Sequence, residues 1–141
     1  MMNREREEII RIHVVTAKAL HLNNEHGDSV VMIPFTGHAT GTYFAGEVLD
    51  GGVDTQIIER GGRHSLSARY MLRGTDRAGQ ECELYIENNG EIDPALTDVL
   101  FRTSPRILTN SRALAFLNDS ALIGEGFPAE SGVEIRIYRE G

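Results

Sequence analysis

Asp54 and Gln56 are the residues whose types and spacing best suit chemistry. They stand two apart in a short alternating segment after Gly51-Gly52, so with Ile58 they share one face of a strand. Val53, Thr55 and Ile57 take the other face. Inside a barrel, a carboxylate beside an amide makes hydrogen-bonding anchors for a small molecule, or acid/base groups. On the outside, the same residues are ordinary surface. Arg69, Tyr70, Glu87, Asn88 and Arg102 are further candidates. Arg69 and Arg102 offer planar guanidinium forks for a carboxylate or enolate. Arg69 with Glu87 also reads as a cross-strand ion pair of small energetic worth.

Other chemistries are excluded by residues the chain lacks. Cys82 is the only cysteine, so there is no internal disulfide and no thiolate-rich metal site. It lies on an apolar strand face and reads as a buried, inert thiol. Lys18 is the only lysine and follows no GxxxxG run, so there is no phosphate-binding loop of that type. A Schiff-base enzyme would have to use Lys18 itself. His64 and Ser65 are adjacent on a strand, point to opposite faces and cannot form a nucleophile–base pair. His21, Glu25, His26 and Asp28 miss the HxxEH metal spacing by one residue and sit among turn formers. They read as a solvated loop, as does His38 in its Gly-rich segment, and no metal or cofactor is expected. Gly124-Glu125-Gly126-Phe127-Pro128-Ala129 mimics a dinucleotide fingerprint, but Pro128 forbids the helix that fingerprint needs. It reads as a glycine-rich turn.

The elements that must hold these side chains are short strands. The 141 residues suit one domain of 15.6 kDa, with 40% apolar and 25% charged residues. Fifteen glycines punctuate the apolar runs, the pattern of a sandwich or barrel. Strands are expected near residues 9–20, 30–35, 43–49, 53–59, 64–73, 82–88, 106–109, 113–117, 121–124 and 133–139. Pro34 marks an edge strand or bulge, and Gly46 a bend. Residues 64–73 and 82–88 alternate cleanly about a turn at Asp76–Gly79 and form a hairpin. Asp93-Pro94 signals a helix start, with one or two turns over Ala95–Phe101. The regular last strand needs a partner, and closing the sheet supplies one. The fold expected is therefore an all-β antiparallel barrel with at most one short helix. Residues 1–8 are read as a flexible segment preceding it.

Partners follow from charge. The net charge of −7 opposes nucleic acid as the main partner. No apolar run approaches the ~18 residues of a membrane helix. Residues 1–8 lack the order of a signal peptide, and with no disulfide a cytoplasmic location is expected.

Several elements together resemble a known family. They are Gly37-x-x-x-Gly41, Gly46-x-Val48-Leu49-x-Gly51-Gly52-x-Asp54-x-Gln56, Ala68-Arg69-Tyr70-x-Leu72 and Tyr85-Ile86-x-Asn88-x-Gly90. Phe101-Arg102-Thr103-Ser104-Pro105, Leu117-Asn118, Ile123-Gly124-x-Gly126 and Val133–Tyr138 complete them. In order and spacing this is similar to the bacterial domain-of-unknown-function family 3237. The resemblance implies a calycin-like antiparallel barrel and carries no activity with it. The chain departs from the family where an aromatic residue often stands and this chain has Thr55. It departs again where a tryptophan often precedes the Leu-Asn pair and this chain has Phe116. Both substitutions alter the size and stacking surface expected of a pocket.

Three functions fit. In the leading one, a cytoplasmic barrel encloses a small, partly apolar organic ligand. Asp54, Gln56 and Asn88 orient it, and Arg69 or Arg102 meets an anionic group. Leu66, Ala68, Tyr70 and Leu72 supply wall or core. In the second, the same barrel is a cofactor-free isomerase, cyclase or hydratase for a carbonyl compound. Asp54 is then the base, and Tyr70 or Arg69 stabilises an enolate. In the third, a filled barrel serves as a homo-oligomeric interaction module.

Overall fold

The computed structural model describes residues 5–140. Among these it has ten strands. They are β1 (Arg6–Thr16), β2 (Leu20–Asn23), β3 (Ser29–Thr40), β4 (Phe44–Val48) and β5 (Val53–Ile58), followed by β6 (His64–Asp76), β7 (Glu81–Glu91), β8 (Phe101–Thr109), β9 (Leu122–Ala129) and β10 (Gly132–Glu140). Every pairing is antiparallel. The ring runs β1-β10-β9-β8-β7-β6, crosses β4 and β5 to β3, and closes where β3 pairs with β1. β5 and β4 share one position, β5 lying along His64–Arg69 of β6 and β4 along Leu72–Asp76. The result is a closed antiparallel β-barrel eight strands round. β2 continues the line of β1 along the first part of β3. No helix among the described residues is long and apolar enough to cross a membrane.

The hairpin of β6 and β7 has the register its alternation predicts. Leu66, Ala68, Tyr70 and Leu72 are buried, and Arg69, Met71 and Arg73 are exposed. The Asp76 carboxylate fixes the turn by accepting from the N–H groups of Ala78 and Gln80 and from the Ser111 hydroxyl, the last at 2.7 Å.

Other segments depart from the sequence reading. β1 begins at Arg6, inside the segment read as flexible, and Arg6–Glu8 pair with Tyr138–Glu140. Residues 1–4 of that segment lie outside the described residues. Pro34 is internal to β3 and at no edge. Its missing N–H faces the gap where β1 gives way to β2, and its carbonyl accepts from the Ala17 N–H at 2.8 Å. Gly46 lies within β4, opposite Gly74 of β6. No helix forms over Ala95–Phe101. Asp93 Oδ1 accepts from the Ala95 N–H and its carbonyl from the Leu96 N–H, a turn that ends there, and Phe101 already belongs to β8. Residues 113–117 are not a strand. A 3₁₀ turn over Ala115–Asp119 folds across one end of the barrel and buries Leu117. Residues 124–129 are not a turn either, and all belong to β9.

The barrel interior has two halves. At one end Ile9, Ile10, Ile12, Phe44, Leu72, Leu84, Ile86, Ile107 and Ile137 fill it, closed by Leu114 and Leu117. Each such side chain contributes about 1.5–3 kcal/mol through burial. Cys82 belongs to this cluster at 2% exposure, and burial pushes its thiol above the ordinary cysteine range. The other half is hollow.

Candidate functional site

The hollow half is a cavity of about 110 Å³. Its walls are Val14 and Thr16 of β1, Ile33 and Phe35 of β3, Leu66 and Ala68 of β6, Phe101 of β8, and Val133 and Ile135 of β10. Besides Thr16, four polar side chains line it: Asp54 and Gln56 of β5, Tyr70 of β6 and Asn88 of β7. The even-numbered face of β5 is therefore luminal.

Strand register explains how they converge. Asp54 pairs with Ala68, and Ala68 pairs with Asn88. Strands lie about 4.8 Å apart, so Asp54 and Asn88 are separated by one strand that carries only a methyl group between them. Tyr70 is the next luminal residue on that middle strand. Its ring meets Phe35 edge-on, with centroids 5.1 Å apart and an interplanar angle of 76°.

A polar chain leads from Asp54 toward one end of the cavity. Gln56 Nε2 donates to Asp54 Oδ2 at 2.8 Å. That bond turns the amide oxygen toward His64, whose Nε2–H donates to Gln56 Oε1 at 2.7 Å. His64 shares the luminal parity of Leu66 at the start of β6. The sequence reading weighed it only against Ser65 and missed this role. Its spacing of two from an apolar luminal row was the available signal.

Among the described residues, four buried side-chain atoms have no protein hydrogen-bond partner: Asp54 Oδ1, Tyr70 Oη, Asn88 Oδ1 and Thr103 Oγ1. Tyr70 and Asn88 are 4% and 2% exposed, so they cannot turn to bulk water for compensation. Native proteins seldom bury polar groups in this state, because each costs about 1–3 kcal/mol. Burial pushes the Asp54 carboxyl above the ordinary carboxylate range, against the Gln56 hydrogen bond and the His64 charge that favour ionisation. Burial, and then the nearby Asp54 charge, push the Tyr70 phenol well above its ordinary range, so it keeps its proton. The cavity thus presents one acceptor oxygen of raised basicity and one permanent O–H donor.

Two glycines of β9 provide room. A Cβ on Gly126 would stand 2.6 Å from Cε1 and Cε2 of Phe101, so the glycine seats that ring in the wall. A Cβ on Gly124 would strike Thr103 Oγ1 and approach Asn88 Oδ1 at 3.2 Å. The glycines that mimicked a nucleotide fingerprint are therefore spacers on the luminal face. Thr103, absent from the sequence candidates, shares their corner with Asn88.

Other candidates lie elsewhere. Arg69 and Glu87 alternate with luminal Tyr70 and Asn88, so both point outward. Their closest N···O distance is 3.9 Å, and the Arg69 side chain is 63% exposed. Arg102 is also on the outer face. Its Nε donates to Glu125 and an NH group to Asp98, each at 2.8 Å, while Arg6 reaches the other Glu125 oxygen at 3.1 Å. Neither arginine reaches the lumen, because the strand parity that puts Tyr70 and Phe101 inside puts Arg69 and Arg102 outside. Arg69→Ala is expected to change thermal stability by no more than about 0.5 kcal/mol and ligand affinity by less than twofold, checked by thermal melts and calorimetric titration. Asp28 accepts from the Arg60 backbone N–H and from Asn24, joining the β2–β3 turn to the chain after β5.

The sequence of residues 6–139 matches the family described as protein of unknown function DUF3237. The chain belongs to this family. A UPF0311 protein of Clostridium acetobutylicum is 38% identical over 89 residues, covering 60% of this chain and 52% of that relative. The match thus spans about half the length of the curated relative. A crystal structure of a protein with unknown function from the same organism superposes with a TM-score of 0.81 at 24% identity, covering 100% of this chain and 99% of that one. An enzyme from Penicillium herquei superposes with a TM-score of 0.78 at 13% identity, covering 100% and 97%. The family elements in this chain contribute Asp54, Gln56, Tyr70, Asn88 and Phe101 to the cavity wall. The two departures from the family pattern fall outside it. Thr55 is on the outer face of β5, and Phe116 packs against Tyr43 with Arg77 and Arg139 over its ring.

Proposed function

We propose that this barrel holds a small organic molecule in its hollow half, in the cytoplasm, with Asp54, Tyr70 and Asn88 orienting the ligand and Gln56 fixing Asp54. The observation that carries this reading is the set of unpartnered polar atoms on an otherwise apolar cavity wall. Apolar pockets with a few convergent polar groups are the usual form of small-ligand sites. A barrel serving only as a scaffold has no use for buried, unsatisfied groups at this cost. Native mass spectrometry of freshly purified protein tests the reading, with Tyr70→Phe as the paired variant. A stoichiometric small-molecule adduct is expected on the wild type. The isolated compound should bind Tyr70→Phe about tenfold more weakly, the worth of one buried hydrogen bond. Equal binding to both proteins would remove Tyr70 from the site.

A second reading is favoured by the environment of Asp54 in particular. A carboxylate of raised basicity with one free oxygen, near a phenol that keeps its proton, suits proton abstraction next to a carbonyl. The structural similarity to an enzyme supports it at the level of the scaffold. Hydrogen–deuterium exchange into cyclic ketones, followed by NMR, provides the test. The catalysed rate should rise with pH as Asp54 ionises, with a midpoint above the ordinary carboxylate value of 3.8. A catalysed rate that is flat across that range would rule Asp54 out as the base.

A further inference from the structure

The character of the ligand can be taken further, on the condition that the ligand-holding reading above is right. We propose that the lumen takes an uncharged molecule built on a single ring and bearing at least one hydroxyl, which donates to Asp54 Oδ1.

Size sets the ring count. The cavity measures about 110 Å³. An apolar protein cavity of ~150 Å³ accepts benzene. The lumen is somewhat smaller than that but open toward exposed Thr16, so it accommodates one ring at most, and fused rings exceed it.

Charge sets the second property. Among the described residues, Asp54 and Tyr70 are the ionisable ones on the wall, and no arginine, lysine or histidine lines it. An anionic ligand would put a second negative charge beside a buried carboxyl whose nearest cationic group, His64, stands behind Gln56 and does not line the cavity. A cationic ligand would meet a single carboxylate, one oxygen of which already accepts from Gln56. It would also leave an ammonium desolvated among methyl and phenyl groups. A neutral ligand avoids both costs.

Hydrogen-bond direction sets the third. Asp54 Oδ1, when ionised, and Asn88 Oδ1 can only accept, so the ligand must bring a proton. A ketone or an ether alone would leave both acceptors unsatisfied. A hydroxyl both donates and accepts. It can give its proton to Asp54 Oδ1 and take one from Tyr70 Oη, since Tyr70 is the next luminal residue on β6 after Ala68, the register partner of Asp54. One functional group then satisfies two of the buried atoms.

The experiment is an NMR titration of the full chain, following the methyl groups of Ile33, Leu66, Val133 and Ile135. The probes are two size-matched pairs, phenol with toluene and benzyl alcohol with benzylammonium, together with benzoate. Phenol and benzyl alcohol should move the luminal methyls. Phenol should bind about tenfold more tightly than toluene, with benzoate and benzylammonium at least tenfold weaker than benzyl alcohol. In Asp54→Asn, and separately in Tyr70→Phe, the preference for phenol over toluene should shrink to about threefold or less. Benzoate or benzylammonium binding the lumen as well as benzyl alcohol would overturn the proposal, as would toluene matching phenol. In those cases the ligand-holding reading stands, because a ligand is in the cavity. Silence of the luminal methyls toward all five probes would defeat both.

Discussion

Asp54→Asn is expected to raise the thermal stability of the barrel at neutral pH while removing the acceptor on which the proposed ligand chemistry depends. The two effects have one cause. In the folded chain the carboxyl is held above its ordinary value of 3.8 by burial. The folded state therefore binds a proton more readily than the unfolded state does, and an ionised Asp54 costs stability above the folded value. That cost is present in full above the folded value, shrinks as pH falls through it, and is gone below 3.8. The amide carries no such charge, and its oxygen can still accept from Gln56 Nε2. The melting temperature of Asp54→Asn should exceed that of the wild type by a few degrees at pH 7, roughly 4 °C if the gain is about 1 kcal/mol. The difference should vanish near pH 3.5. Meanwhile the atom facing the lumen becomes an N–H donor where an acceptor stood. Deuterium exchange into ketones, if the wild type shows it, should fall about a hundredfold or more, since no other carboxylate lines the cavity. Melting curves between pH 3.5 and 8 check the first effect. A variant less stable than the wild type at pH 7 would show that burial of the charge is not the dominant influence on Asp54.

Gly74→Ala should be the most damaging single-methyl change in the barrel. Gly74 of β6 pairs with Gly46 of β4, and the two backbones run too close for side chains. A Cβ on Gly74 would collide with the Ala45 carbonyl oxygen and lie 2.5 Å from the Cα of Gly46. Both obstacles are backbone, so no rotamer change relieves them. β4 would have to move away from β6, breaking ladder hydrogen bonds beside buried Phe44 and Leu72. The expected loss is about 3 kcal/mol or more, a fall in melting temperature of about 10 °C. Gly61→Ala is the matched control. Its Cβ would have nothing within 4 Å, and a neutral or slightly stabilising result is expected. Equal melting temperatures for the two variants would mean that β4 and β6 can separate freely at this crossing.

The parts of this fold that the sequence displays are those where one physical pattern acts alone. The β6–β7 hairpin was legible because Leu66, Ala68, Tyr70 and Leu72 alternate with polar residues without interruption. Asp54 and Gln56 were legible as a pair for the same reason. The choice of luminal arginines failed because period-two alternation says which residues share a face and does not say which face turns inward. Arg69 and Tyr70 are adjacent, so only one of them could line the cavity. Only the start of β9 was legible, as the strand expected near 121–124; the rest was hidden because Gly124, Gly126 and Pro128 have turn-like composition. The two glycines are there to admit Thr103, Asn88 and Phe101 from neighbouring strands, which depends on register across the sheet and leaves no local trace. The expected helix after Asp93-Pro94 failed for a related reason. The start signal is real, but it opens only a single turn, and the chain is then drawn into the barrel at Phe101.

The uneven filling of the barrel bears on how such a protein can change over time. The side chains that stabilise the fold, from Ile9 to Ile137, gather at the end closed by Leu114 and Leu117. Val14, Ile33, Leu66 and Val133 stand at the other end, around a space. Exchanging Ile33 or Leu66, which lie outside the main core cluster, alters the shape of a cavity and spares that cluster. Mutation can therefore reshape the cavity without first crossing a threshold of misfolding. The same architecture recurs in an enzyme at 13% identity, so the barrel persists while most of its side chains differ.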